Sequence, residues 1–307
     1  MQKQQIPLKN SLFLLLAAII WGIAFVAQSV GMEYVGGFTF SAVRSLLGSV
    51  VLIPLILISG RKNSANTAAT KANSFVGSSD GTVSSIRKRK DLIIGGISCG
   101  ICLCLASNFQ QFGIKYTTVG KAGFITAMYI VLVPIIGIFF RKKTSARIWI
   151  SILLSVCGLY FLCMTDGITH LQRGDFYTLC CALAFSLQIL AVDYFAPIAD
   201  NVMLACIEFF ACGICSLVPA LLLEHPQMHL LLAAWLPILY AGVCSNGIAY
   251  TLQFFAQRGL PPAAASILMS MESVFSLLAG FLILQERLSS RELIGCVLMF
   301  SAIILVQ

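Results

Sequence analysis

A chain of 307 residues that is 59% hydrophobic and only 10% charged, with a mean hydropathy of +0.93, has too little polar surface to cover a water-soluble globule. Its formal net charge of +8 reads as a topology signal rather than a nucleic-acid surface, because 13 of the 20 Lys and Arg lie in the N-terminal segment and the connectors on one side of the apolar runs before Ile148. Composition excludes a soluble enzyme and a nucleic-acid-binding module, and leaves a polytopic membrane protein whose first partner is the lipid bilayer.

In chain order, apolar runs occupy Leu12–Gln28, Phe38–Ile58, Leu92–Gly113, Ala122–Phe140, Ile148–Met164, Phe176–Asp193, Val202–Leu223, Leu236–Ala256, Pro262–Leu284 and Leu293–Val306. A helix of about 20 residues rising about 1.5 Å each crosses a hydrocarbon core of about 30 Å, so each run predicts a transmembrane helix. The first follows a short basic leader (Lys3, Lys9). It is longer than a signal-peptide core and has no A-x-A site, so it is expected to be retained. Between the second and third runs, Gly60–Lys90 is rich in Ser, Asn, Thr and Ala and ends in Arg87-Lys88-Arg89-Lys90. It predicts a disordered insert. With the N-terminus in the cytoplasm, fourteen Lys and Arg fall on the cytoplasmic side and five (Lys115, Lys121, Arg173, Arg287, Arg291) on the other. Positive-inside bias therefore expects both termini in the cytoplasm of a cell whose plasma membrane, of bacterial type, holds the protein.

The chain also resembles itself. Shifted by 143, Gln110 falls on Gln253, Phe112 on Phe255, Lys115 on Arg258, Ala122 on Ala265, Met128 on Met271, Val131 on Val274 and Gly137 on Gly280. Shifted by 164, Ala18 falls on Ala182, Ala27 on Ala191 and Arg44 on Glu208. Five spans per half is an odd number, so the halves must cross the membrane in opposite senses. The expected fold is all-α, with ten transmembrane helices as two inverted five-helix repeats. Residues 1–59 hold the first two helices, 60–90 the insert, 91–165 the rest of repeat one and 174–307 repeat two. Inverted repeats with a site near the midplane are the signature of secondary transporters.

Polar residues inside the runs are the candidate site. Glu272 lies ten residues past Pro262, about 15 Å deep. A carboxylate there is costly unless neutralised, paired or hydrated, and such groups face a bundle interior or a wet cavity. Asn246, Tyr250, Gln253 and Gln257, spaced 4, 3 and 4, share one face of an α-helix. Asn108, Gln110 and Gln111 repeat that polarity in the third run, and Tyr129 and Gln188 add to it in the fourth and sixth. Arg44 and Glu208 stand about 9 Å inside opposite faces, too far apart in depth to predict an ion pair. Cys99–Cys102 and Cys212–Cys215 have C-x-x-C spacing, but in lipid-embedded helices without neighbouring His or Asp they read as packing residues. No catalytic constellation, metal site or cofactor site is expected.

Trp21-Gly22 followed by Phe25, Arg44 in the second run, Tyr129-Ile130-Val131-Leu132-Val133-Pro134, and Met271-Glu272-Ser273-Val274 followed by Gln285-Glu286-Arg287-Leu288 resemble the EamA-type branch of the drug/metabolite transporter superfamily. Two positions depart from it. Ser273 stands where the family often has Pro, so no kink is implied there, and Glu208 stands where a second Arg would match Arg44. The resemblance implies a central cavity between the halves, peripheral fifth and tenth helices, and export or exchange of small organic, including drug-like, solutes; Glu272 favours a cationic or zwitterionic solute such as an amino acid or amine, while Arg44 would suit a carboxylate. Trp21 joins the candidates on this ground. Proton coupling through Glu272 is the expectation for energetics. The alternative reading is a non-transporting membrane scaffold, which explains the packing but not polar groups at recurring depths.

Overall fold

The computed structural model describes residues 7–71, 80–116, 119–142, 144–163, 173–283 and 289–306. Every element among them is helical: α1 (Leu8–Gly31), α2 (Gly37–Lys71), α3 (Asp80–Tyr116), α4 (Val119–Thr126), α5 (Tyr129–Phe139), α6 (Ala146–Cys163), α7 (Arg173–Phe195), α8 (Asn201–Pro219) with a π-helical turn (Ala220–Glu224), α9 (Met228–Ala233), α10 (Trp235–Leu239), a π-helical stretch (Tyr240–Tyr250), α11 (Thr251–Gln257), α12 (Pro262–Met269), α13 (Glu272–Ile283) and α14 (Ser290–Val306). Lipid offers the backbone no partners, so each segment satisfies its own N–H and C=O groups. Seven stretches among the described residues are long and apolar enough to cross a membrane, and a shorter apolar helix runs from Ala146 to Leu162.

Helical backbone extends into the segment expected to be irregular, up to Lys71 and again from Asp80. Residues 72–79 lie outside the described residues, as does the Gln285–Leu288 motif.

Polarity is inverted relative to a soluble bundle. Ile94, Ile97, Ile101 and Leu105 on α3, and Phe176, Leu179, Leu183 and Leu187 on α7, are exposed at helical spacing, which makes outward apolar stripes. Ser107, Gln110 and Gln111 on α3, and Ser186 and Gln188 on α7, are buried. α3 packs on α7 and α8, α2 on α8, α1 on α13 and the π-helical stretch, and α6 on α14. The α6–α14 crossing is a contact of two glycines. A Cβ on Gly158 would lie 2.9 Å from the Gly295 carbonyl, and one on Gly295 2.7 Å from the Gly158 carbonyl.

Two expected spans are broken in the middle. α4 gives way to α5 at Ala127–Met128, and α12 to α13 at Ser270–Met271. The breaks use the same three backbone bonds: Ala127 N to Gly123 O, Met128 N to Ile125 O and Ile130 N to Ala127 O, against Ser270 N to Ser266 O, Met271 N to Leu268 O and Ser273 N to Ser270 O. Each partner is shifted by 143. The second break needs no proline. Ser266 and Ser270 turn their hydroxyls back onto the Ala263 and Ile267 carbonyls, at 2.9 and 2.7 Å, competing with the helical ladder and bending it.

The two ends of the bundle differ. At one, Asn10 Nδ2 donates to the Ala256 carbonyl at 2.9 Å, and Lys142 pairs with Asp193. At the other, α2 begins at Gly37 without a capping side chain of its own. The amides of Phe38 and Thr39 and the Thr39 hydroxyl donate to the Glu224 carboxylate, at 3.0, 2.7 and 2.7 Å. α8, by contrast, is capped by its own Asp200, which accepts from Val202 N and Met203 N at 3.1 and 2.9 Å.

Candidate functional site

Between the broken helices lies a central cavity. Its wall comes from α1 (Trp21, Phe25, Gln28), α2 (Arg44), α3 (Gln110), α5 (Tyr129), α7 (Phe185, Gln188, Ile189), the π-helical stretch Tyr240–Tyr250 (Ser245, Tyr250), α11 (Gln253), α12 (Met269) and α13 (Glu272). Four pairs of these residues are separated by the two sequence shifts: Trp21 and Phe185, Phe25 and Ile189, by 164; Gln110 and Gln253, Tyr129 and Glu272, by 143. The last pair is in contact, the Tyr129 hydroxyl donating to Glu272 Oε1 at 3.1 Å. Each of the two residues opens the second half of its broken helix, so the phenol and the carboxyl meet at the two breaks.

The space within the wall comes to about 50 Å³, room for a few waters. A wider cavity of about 420 Å³ lies towards the Lys142–Asp193 end, lined by Lys142, Asp193, Arg258 and Gln257 among others. A chain of amides connects the two. Gln253 Nε2 donates to Gln257 Oε1 at 2.8 Å and to Gln188 Oε1 at 3.2 Å. Gln188 Nε2 donates to Glu208 Oε1 at 2.9 Å, and Gln257 Nε2 to the Ile189 carbonyl at 3.2 Å. Aromatic edges frame the other side: Trp21 meets Tyr250 edge-on at 4.9 Å between centroids, and Phe209 meets Tyr250 at 5.6 Å.

Of the residues singled out from sequence, Glu272, Tyr250, Gln253, Gln110, Tyr129, Gln188, Trp21 and Arg44 line the central cavity, and Gln257 lines the wider one. Four line neither cavity. Asn246 packs against Gly48 of α2 and donates to the Ser45 hydroxyl at 3.4 Å; the π-helical winding, with its i→i+5 bonds, puts Ser245 on the cavity face instead. Asn108 turns to α8 and donates to the Ser216 hydroxyl at 2.9 Å. Gln111 stands behind Gln28, donating to it at 2.8 Å. Glu208, fully buried, stands behind Gln188. Sequence reasoning missed Gln28, Phe25, Phe185, Ile189, Ser245 and Met269. Gln28 carried a signal, being a polar residue two turns from Trp21 on the same face of an apolar run.

These groups are hydrogen-bond donors and acceptors, one cation, one carboxyl and aromatic faces, a set that holds and orients a solute. Residues 8–164 and 172–307 match the EamA-like transporter family. An uncharacterized transporter of Archaeoglobus fulgidus is 28% identical over 295 residues, covering 96% of this chain and 84% of that protein. The uncharacterized transporter YoaV of Bacillus subtilis is 22% identical, covering 94% of each. A crystal structure of another protein superposes with a TM-score of 0.76 at 18% identity, over 96% of this chain and 95% of that one, a likeness of fold.

Proposed function

The chain belongs to the EamA-like transporter family, and from that premise we propose that it is a secondary transporter exporting or exchanging small organic metabolites by alternating access. In this reading ten transmembrane helices form two inverted five-helix repeats, the first from 1–59 and 91–165, the second from 174–307. The observation that carries it is the central cavity between two helices broken 143 residues apart, where Tyr129 and Glu272, one from each break, meet in the wall. Broken helices meeting at mid-membrane are where transporters of inverted-repeat build hold their solutes. A scaffold would have no use for such a wall.

Both termini are cytoplasmic in this reading, following the Lys and Arg bias. The wider cavity then opens to the cytoplasm, and the Glu224 cap closes the outer face. A central space of about 50 Å³ is far below the hundreds of cubic ångströms that organic ligands occupy, so the helices must part to admit a solute. Glu272 takes the coupling role: its carboxyl, held by Tyr129, exchanges a proton or a solute cation as the halves rock. Untargeted profiling of metabolites inside and outside cells with and without the gene names the solute; unchanged distributions would sink the transport reading. In inverted vesicles Glu272→Gln, which keeps the shape but cannot ionise, inserts normally and loses the pH dependence of transport or the affinity for cationic solutes. Transport indistinguishable from the parent over about pH 5–8 would make Glu272 structural.

A further inference from the structure

We propose that Arg44 is the anchoring site for a carboxylate of the transported solute, which makes that solute a small apolar molecule bearing an acid group. The inference rests on the transporter reading above and narrows it. Arg44 is only 5% exposed and lines the central cavity, so it does not reach out to the membrane surface. Its guanidinium carbon lies 5.6 Å from the face of Phe40, the groups that act on it electrostatically are the Tyr250 phenol and the Cys212 thiol rather than a carboxylate, and its Nε has no acceptor.

The buried carboxyls of the central network have other partners: Glu272 accepts from Tyr129 and Glu208 from Gln188. Asp193 is paired with Lys142, in the other cavity. A buried guanidinium left without a counter-ion is strongly disfavoured. Its planar fork matches a carboxylate two bonds at a time. Among the described residues Arg44 is the one basic side chain in the wall, which suits a single negative charge better than a phosphate's two. Trp21, Phe25, Phe185 and Ile189 leave an apolar surface for the rest of the molecule.

The test uses the full chain in lipid nanodiscs, with propionate, 4-methylpentanoate and 3-phenylpropionate as probes, each beside its own primary amide and amine. At least one acid binds the parent about tenfold or more tighter than its amide and amine. Arg44→Gln removes that preference, a loss of about ten- to a hundredfold, and Arg44→Lys keeps part of it. Without ligand, Arg44→Gln melts at or above the parent temperature, because it removes an uncompensated buried charge. Equal binding of acids and amides, acid binding unchanged in Arg44→Gln, no binding by any acid, or a ligand-free Arg44→Gln that melts well below the parent would each overturn the assignment. Flux into proteoliposomes separates the two readings. Amides or amines that cross without acid binding leave a transporter with the wrong site, whereas acids that bind through Arg44 but never cross leave the site and remove the transporter.

Discussion

Glu224 caps a helix that is not its own, and the cap can be moved. Its carboxylate accepts three hydrogen bonds from the first turn of α2. Losing an N-cap costs about 0.5–2 kcal/mol and losing a negative charge at a helix start about 0.3–1 kcal/mol, so Glu224→Ala should cost about 2 kcal/mol. At about 2–4 °C per kcal/mol, the apparent melting temperature at one fixed scan rate falls by about 4–8 °C. Asp200 shows how to repair it: it stands two residues before Val202, whose amide it caps, as Gly36 stands two residues before Phe38. Gly36→Asp alone makes matters worse, because a Cβ there would lie 2.1 Å from the Glu224 carboxyl carbon and would bring a second carboxylate against the first. In the double variant Gly36→Asp with Glu224→Ala the clash is gone and the new Asp caps α2 from within, so stability returns to within about 1 kcal/mol of the parent. The two substitutions are therefore strongly non-additive. Should the double variant melt as low as the sum of the singles, Glu224 stabilises something other than the start of α2.

Two further outcomes test the arrangement in the membrane. In a Cys-free background, an impermeant thiol reagent added to intact cells labels a cysteine at Tyr34 and spares one at Lys90, because the basic residues of the long connector resist translocation; the reverse pattern would invert the orientation. Replacing Asn66–Ser85 by a short linker leaves insertion and transport intact, since the corresponding connector of the second half, Ala196–Asp200, is short and lacks basic residues; loss of transport at normal expression would give the long connector a role.

The apolar helices were legible because hydropathy is a local quantity, and Glu272 stood out as a lone carboxyl within one of them. The partner of Glu272 was not: Tyr129 comes from 143 residues away. Asn246 and Tyr250 share a face only while the winding is α. Packing against Gly48 and Leu47 of α2 accompanies a π-helical stretch that no spacing rule anticipates, and Ser245 takes the cavity position. The break at Ser270 was likewise invisible to a search for proline, since serine hydroxyls turned onto the backbone bend that helix. Asn108 and Gln110 are two residues apart in one apolar run, and only the position of α8 decides that the first faces Ser216 and the second the cavity.

The borrowed cap also sets an order of events during synthesis. The start of α2 waits for a side chain 185 residues further along the chain. At about 5–20 residues per second, that is a delay of about 10–40 s, during which α2 sits in the bilayer with its leading amides uncapped. A ribosome that stops short of Glu224 therefore leaves the first half unsealed, and one that passes it closes the half already inserted. A quality-control protease reading that frayed helix start would discriminate unfinished chains from finished ones without touching the second half at all.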